Sequence, residues 1–135
     1  MSQAADAGRL GERLARRFLR KKGFRVLAKN YRTKSGEIDV VARDGSDLCF
    51  VEVKTRTSLE FGRGDEHIDR VKMRSIVRVA EEFVSKRGLG GMSQRFDCVF
   101  VLLKERRRRG LAGWLRGPEA DIELERDSFT LDDIQ

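Results

Sequence analysis

The sequence predicts a single α/β domain in which a central mixed β-sheet is flanked by helices. The chain has 135 residues, a length that suits one compact domain. Apolar residues make up 39% of it, and they fall into two stretches with helical spacing and five short stretches typical of strands. The order along the chain is α-β-β-β-α-β-β, which predicts a layered sheet with helices packed on it.

The first half of the chain predicts one helix and three strands. Residues 7–22 carry an apolar stripe at helical spacing, and Gly23 is expected to end that helix. Strands are expected next at 24–31, 37–42 and 48–54, where apolar residues alternate or run together.

The second half predicts one helix and two strands. The helical period returns over 69–86, and the strand at 95–104 is the most apolar, so we expect it to be central. An exposed strand is expected at 121–125, with room for a short terminal helix after it. We expect a core, a basic loop and an acidic C-terminal segment, at 8–104, 104–117 and 118–135.

The charge distribution favours an anionic partner. The formal net charge is +7, and between Arg9 and Lys34 the only acidic residue is Glu12. Nucleic acid and an acidic membrane surface are the natural candidates, and a domain that is merely basic is the plain alternative. The N-terminal stretch lacks a signal-peptide pattern and no apolar run is long enough to span a bilayer, so we expect a cytoplasmic protein with no membrane partner.

Cysteine and histidine content narrows the chemistry. Cys49 and Cys98 both lie in apolar runs, which indicates buried side chains in a reducing compartment. The single histidine, His67, argues against a zinc site built from several imidazoles.

Acidic residues interrupt two predicted strands. In GEIDVVARDGSDLCFVEVKTRT (36–57) a tight loop at Gly45-Ser46 or at Asp44-Gly45 gives two possible antiparallel registers. Either register puts three acids and one lysine on one face, because side chains alternate along a strand. These residues are Glu37, Asp39, Glu52 and Lys54. A three-residue loop would split them between the two faces.

The acids on this face suit a metal ion. Mg²⁺ takes oxygen ligands, usually one or two carboxylates with waters and a phosphate, and it promotes hydrolysis of phosphodiesters. Lys54 could orient or help deprotonate the attacking water. The plain alternative is a solvated hairpin face on which Glu37 and Lys54 form a cross-strand ion pair.

Other charged side chains are further candidates. Glu12 borders the apolar stripe of the first helix, as a site residue or as an i,i+4 partner of Arg16. Candidate contacts to nucleic-acid phosphates are Arg9, Arg13, Arg16, Arg17, Arg56 and Lys72. The run Arg106–Arg109 beside Trp114 could pin a backbone and stack a base, or it could be a disordered hairpin tip.

The motifs GERLARRFLRKKGFRVLAKNYR, GEIDVVARD, FVEVKTR and RFDCVFV resemble the bacterial YraN family, which is endonuclease-like. With Glu12 on the helix, Asp39, and the ExK spacing of Glu52 and Lys54, the chain is also similar to the PD-(D/E)XK nuclease superfamily, most of all to archaeal Holliday-junction resolvases. Ile38 stands where the first motif has proline.

This resemblance implies a restriction-endonuclease-like fold and catalytic residues at Glu12, Asp39, Glu52 and Lys54, with Asp39 and Glu52 as ligands of Mg²⁺ or Mn²⁺. It also implies cleavage of DNA, with branched DNA as one candidate substrate, and a homodimer. A nucleic-acid-binding module without catalysis, and a protein-interaction domain that docks through its acidic C-terminal segment, are the rival hypotheses.

Overall fold

The computed structural model describes residues 3–57, 68–104 and 120–134. These residues form two helices, five strands and one short 3-10 helix, in the order predicted from the sequence. The elements are α1 (Gln3–Lys21), β1 (Arg25–Thr33), β2 (Gly36–Asp44), β3 (Asp47–Thr57), α2 (Arg70–Arg87), β4 (Ser93–Leu103), β5 (Ala120–Phe129) and the 3-10 helix (Leu131–Ile134).

One mixed sheet contains the five strands in the order β1-β2-β3-β4-β5. The pairs β1–β2, β2–β3 and β4–β5 are antiparallel, whereas β3 and β4 run parallel. Helix α2 lies in the crossover between those two parallel strands, as parallel pairing requires. The predicted α/β domain with a mixed sheet between two helices is therefore confirmed. Strand β4 is interior, as predicted, although β3 occupies the middle of the sheet.

Two hydrophobic clusters hold the helices to opposite faces of the sheet. On one face α2 contributes Phe83, which packs edge to face against Phe50 of β3. On the other face α1 contributes Leu19, in the same cluster as Val51 of β3. Because Phe50 and Val51 belong to opposite clusters, the next residue, Glu52, falls on the α2 side.

Helix α1 approaches β3 most closely at Gly11. A Cβ atom at that position would collide with the side chain of Thr55. The lack of a side chain at Gly11 therefore lets the helix lie close to the sheet, and Glu12 is the next residue along it.

Helix α1 ends as predicted, beside Gly23. The Gly23 N–H donates to the carbonyl of Arg20, and the Phe24 N–H donates to the carbonyl of Leu19, each at 3.0 Å. These two hydrogen bonds form a Schellman motif, which satisfies the last carbonyls of the helix.

Strand β5 is longer than the sequence predicts. It continues beyond Glu125 to Phe129, which pairs with Phe96 after an irregularity in the β4–β5 register. Asp127 lies at that irregularity with φ 51°, and its N–H donates to the Asp97 carboxylate at 3.1 Å. This contact keeps β5 beside β4. Because Asp97 is distant in sequence, no pattern among neighbouring residues predicts that β5 continues beyond Glu125.

The β2–β3 hairpin has the first of the two predicted registers. Asp44 pairs with Asp47 and Val40 with Val51, so paired residue numbers sum to 91 and the loop is Gly45–Ser46. Gly45 has φ 59°, as the first central residue of a type II′ turn requires.

Some sequence-based predictions concern residues outside those that the structure describes. They are the one for His67, the one for Arg106–Arg109 with Trp114, and the one for the basic loop beyond Lys104. In the described ranges, neither helix combines the length and the hydropathy that a transmembrane span needs.

Candidate metal and nucleic-acid site

The two strands of the β2–β3 hairpin separate where the acidic residues begin. Backbone pairing ends at Val40 and Val51, so Asp39 and Glu52 would have formed the next pair. Instead, Asp39 Oδ2 accepts a hydrogen bond from the Val53 N–H at 2.8 Å. A side chain thus replaces a backbone partner, and the Asp39 carboxylate lies in the opening between the strands.

Glu52 is buried beside this opening, with 8% of its surface exposed. Its Oε1 lies 3.8 Å from Nζ of Lys72, which projects from the first turn of α2. Its Oε2 is buried and accepts no hydrogen bond from any of the described residues. A buried carboxylate oxygen without a partner is costly, so the site suits a bound cation or donor. Asp39 and Glu52 together are called the Asp39–Glu52 pair below.

Burial is the largest influence on the titration of this pair. Burial and, to a smaller extent, the negative charges of Glu52 and Glu12 together raise the pKa of Asp39 to about 7, against the Val53 hydrogen bond and the Lys72 charge. Burial also raises the pKa of Glu52, against the nearby positive charges of Lys72 and Lys54. Both carboxyls therefore bind protons more tightly than exposed ones, which is common in functional sites.

Lys54 follows Glu52 on the same face of β3 and is half-buried. The predicted alternative, a cross-strand ion pair between Lys54 and Glu37, is not present among the described ion pairs. Glu37 is instead bonded to Arg32 of β1 at 2.8 Å, because β2 has already left β3 at this level.

Glu12 reaches the site from the first helix. Its Oε1 accepts a hydrogen bond from the side-chain amide of Asn30, which also donates to Glu37 Oε1 at 3.2 Å. No described ion pair joins Glu12 to Arg16, so the i,i+4 alternative is not what the structure shows.

A groove of about 540 Å³ adjoins these acids between α1 and β1. Three of the predicted phosphate contacts line it, namely Arg9, Arg13 and Arg16. Lys29 and Arg32 of β1 add positive charge to its other side, and Glu12, Asn30 and Glu37 complete the lining. The groove thus places five cationic side chains around Glu12, whose charge also acts on Asp39 and Glu52.

The other predicted phosphate contacts lie elsewhere. Arg17 is exposed on α1 but does not line the groove. Arg56 is half-buried on β3, where its guanidinium donates to the Thr55 carbonyl at 3.4 Å. Lys72 lies beside Glu52 and is part of the acidic site itself.

Sequence reasoning missed three residues of this region: Lys29, Asn30 and Arg32. Lys29 and Arg32 belong to the basic stretch that the charge count identified, but their place in a groove depends on β1 packing beside α1. The residue type of Asn30 gave a weak indication of its backbone conformation. Asparagine is a non-glycine residue that often adopts a left-handed backbone, and Asn30 has φ 48°.

A second acidic group lies at the opposite, closed end of the hairpin. The Arg95 guanidinium donates to Asp44 at 2.8 Å, to Asp47 at 3.1 Å and to the fully buried Asp97 at 2.9 Å. The Asp97 hydrogen bond raises the pKa of Arg95. These four residues are called the Arg95 cluster below.

Known proteins resemble the chain over most of its length. The family model described as "Uncharacterised protein family UPF0102" matches residues 11–101. A UPF0102 protein of Caldicellulosiruptor saccharolyticus is 44% identical over 98 residues, which are 73% of this chain and 83% of the relative. The chain belongs to the UPF0102 family. UPF0102 relatives also match nearly the full length: one of Desulfosudis oleivorans is 36% identical over 129 residues, 96% of this chain and 94% of its own.

Membership of UPF0102 confirms the YraN resemblance, since the two names refer to one family. The matched range contains Glu12, Asp39, Glu52 and Lys54, together with the groove residues from Arg13 to Arg32. It ends before β5. The description of the UPF0102 family names no activity, so the function has to be argued from the geometry of the site.

Proposed function

We propose that the chain is a metal-dependent nuclease that hydrolyses phosphodiester bonds in DNA, with branched or otherwise structured DNA as the favoured substrate. The observation that carries the proposal is the buried Oε2 of Glu52, which has no hydrogen-bond partner among the described residues and lies beside the opening that holds Asp39. A cluster made only for packing would not leave that oxygen unsatisfied.

The Asp39–Glu52 pair fits Mg²⁺ or Mn²⁺. Both ligands are carboxylates, and Mg²⁺ is commonly held by one or two of them with waters and substrate phosphates. In the parts of the chain that the structure describes, no three His, Cys, Asp or Glu side chains form a metal cage. Waters and phosphate oxygens would therefore complete the coordination.

The neighbouring side chains suit hydrolysis. A metal ion held by Asp39 and Glu52 would supply an acidified water and would offset the charge that develops on the phosphate. Lys54 carries a positive charge on the same face as Glu52, where it can orient the attacking water or neutralise the phosphoryl oxygens. Glu12 offers a further carboxylate for holding water or accepting a proton.

The groove between α1 and β1 supports a nucleic-acid substrate. Its cationic side chains would bind successive phosphates of one strand and lead that strand towards the acids. Such contacts position a backbone without reading its sequence, which agrees with a nuclease that recognises the shape of DNA.

The first experiment is a cleavage assay on branched, single-stranded and duplex DNA with Mg²⁺ or Mn²⁺. We expect the wild-type protein to cleave DNA. Glu52→Gln should lower kcat by about 10²–10³-fold, because the loss of one electrostatic contact to the transition state typically has an effect of that size. The matched control is Glu81→Gln, which removes an exposed carboxylate of α2 and should cut normally. Glu52→Gln protein that cuts as fast as wild type would overturn the proposed site.

A non-catalytic nucleic-acid-binding module is the second candidate. It is favoured by the partners that the acids already have, Lys72 beside Glu52 and the Val53 N–H on Asp39. Calorimetry with Mn²⁺ separates the two: salt-sensitive DNA binding without any binding of divalent ions would favour the module. The homodimer that the resolvase resemblance implies stays a prediction, which light scattering of the protein with and without DNA would test.

A further inference from the structure

Asn30 occupies an unusual place in β1. It has φ 48°, a left-handed backbone conformation inside a strand. Lys29 pairs with Val40 and Tyr31 with Ile38, so Asn30 lies opposite Asp39 in the register. Backbone strain of this kind collects at functional sites, where the surrounding contacts maintain it.

The side chain of Asn30 joins two acids from different elements. Its amide nitrogen donates one N–H to Glu12 of α1 and the other to Glu37 of β2. Glu37 is also fixed on its other oxygen by Arg32. The amide therefore connects the helix to a carboxylate that is already anchored on the sheet.

We propose that Asn30 is a positioning residue, which holds Glu12 against the edge of the sheet beside the Asp39–Glu52 pair by donating one amide to Glu12 and Glu37 at once. Without it, Glu12 would be a surface side chain in an arginine-rich helix, free to turn towards Arg16 one turn along. The proposal concerns how Glu12 is held; only its effect on cleavage rests on the proposed nuclease function.

The residue type matches this role. An amide has two N–H donors and no charge, so it can hold two carboxylates without neutralising them. Aspartate has nearly the same shape and also tolerates a left-handed backbone, but it would repel both acids. Glycine tolerates the same left-handed backbone conformation and removes the whole side chain with its amide, so we choose Asn30→Gly as the test variant.

The first test needs the protein alone. Asn30 is the only asparagine in the chain, so selective ¹⁵N labelling of asparagine gives one pair of side-chain amide signals. We expect Glu12→Gln to shift these signals and to speed their hydrogen exchange about tenfold, because a neutral amide oxygen replaces the charged acceptor and holds the Asn30 N–H more weakly. The control Glu81→Gln should leave them unchanged. Signals with the shift and exchange of a free asparagine in the wild-type protein would overturn the proposal.

The second test is a double-mutant cycle of Asn30→Gly and Glu12→Gln, with the Mn²⁺ dissociation constant and kcat as readouts. We expect Asn30→Gly to raise the Mn²⁺ dissociation constant and to lower kcat, each about tenfold, as loss of an outer-sphere partner does. KM for DNA should change less than about twofold, since no cation is removed. The double variant should be no worse than Glu12→Gln alone, because Asn30 acts through Glu12. If the effects of Asn30→Gly and Glu12→Gln on the free energies of binding and activation were fully additive in the double variant, Asn30 would not act through Glu12.

The two proposals fail in different ways. If the amide signals respond to Glu12→Gln but the wild-type protein cuts no DNA, Asn30 positions Glu12 and the nuclease proposal is wrong. If the protein cuts DNA and Asn30→Gly is indistinguishable from wild type, the nuclease proposal stands and the role of Asn30 is wrong.

Discussion

At the closed end of the β2–β3 hairpin, three aspartates surround the guanidinium of Arg95, whereas at the open end the Asp39–Glu52 pair has one described ion pair, from Glu52 to the more distant ammonium of Lys72. Burial does not distinguish the two ends, since Asp97 and Glu52 are both buried. Hydrogen bonding does: Asp97 accepts from Arg95 and from the Asp127 N–H, while Glu52 Oε2 accepts from no described residue.

This contrast separates a self-contained ion-pair cluster from a pair of carboxylates that is left incompletely bonded by the described residues. An arginine fork satisfies carboxylates in a fixed geometry, so the Arg95 cluster is complete without a ligand. The Asp39–Glu52 pair keeps pKa values that are raised by burial and is costly to fold. The stability that such a pair costs is what the proposed metal site would require.

The largest effect on stability is expected at the closed end. Asp97→Ala removes the fully buried carboxylate of the Arg95 cluster and leaves the nearly buried Arg95 guanidinium without its main partner, so we expect the free energy of unfolding to fall by about 3–5 kcal/mol. Chemical denaturation measures this loss. Asp121→Ala is the matched control: its carboxylate is 65% exposed in a surface pair with Lys104, and its loss should cost less than about 1 kcal/mol. Equal losses from the two variants would remove the distinction between the Arg95 cluster and an ordinary surface pair.

The stability contributed by the open end should depend on pH. Between its ordinary pKa of 3.8 and its raised value of about 7, Asp39 keeps its proton in the folded chain and loses it in the unfolded chain. Its contribution to stability is therefore full at low pH and is lost as the pH rises through that window.

Asp39→Asn should abolish this part of the pH dependence. We expect the variant to be more stable than wild type by about 2–4 kcal/mol near pH 8 and equal to it near pH 4, in denaturation series at several pH values. Asp121→Asn should follow the wild-type profile. If Asp39→Asn also followed it, Asp39 would be an ordinary carboxylate and the contrast between the hairpin ends would fail.

The smallest effect is expected at Lys72, the one cation paired with Glu52 in the described structure. Its side chain is 41% exposed and 3.8 Å from Glu52, so Lys72→Met should change the free energy of unfolding by less than about 1 kcal/mol. The pKa of Glu52 should rise, because Lys72 now lowers it. Carbon NMR of the glutamate side chains measures that shift. A fall in stability of several kcal/mol would show a closed ion pair like that of Arg95.

Sequence patterns predicted the elements and the hairpin register because both depend on local chemistry. Alternation and helical spacing are properties of neighbouring residues, and the Gly45–Ser46 loop determines which residues of β2 and β3 are paired. The grouping of Asp39 and Glu52 on one face followed from alternation in either of the two predicted registers.

The remaining features depend on contacts between distant parts of the chain. The end of pairing at Val40 and Val51 broke the expected contact of Glu37 with Lys54, and alternation cannot show where two strands separate. The Arg95 cluster was missed because its aspartates come from three strands. Asn30 was missed because its partners lie 18 and 7 residues away.

The bare backbone at Gly11 bears on how this protein could be engineered. Glycine inside a helix lowers stability by about 1 kcal/mol relative to alanine. Helix propensity alone would therefore favour alanine at this position. An added methyl group there would collide with Thr55 and push the helix outwards, carrying Glu12 with it. Libraries built to stabilise UPF0102 proteins should therefore leave position 11 unchanged, although helix propensity argues for replacing it.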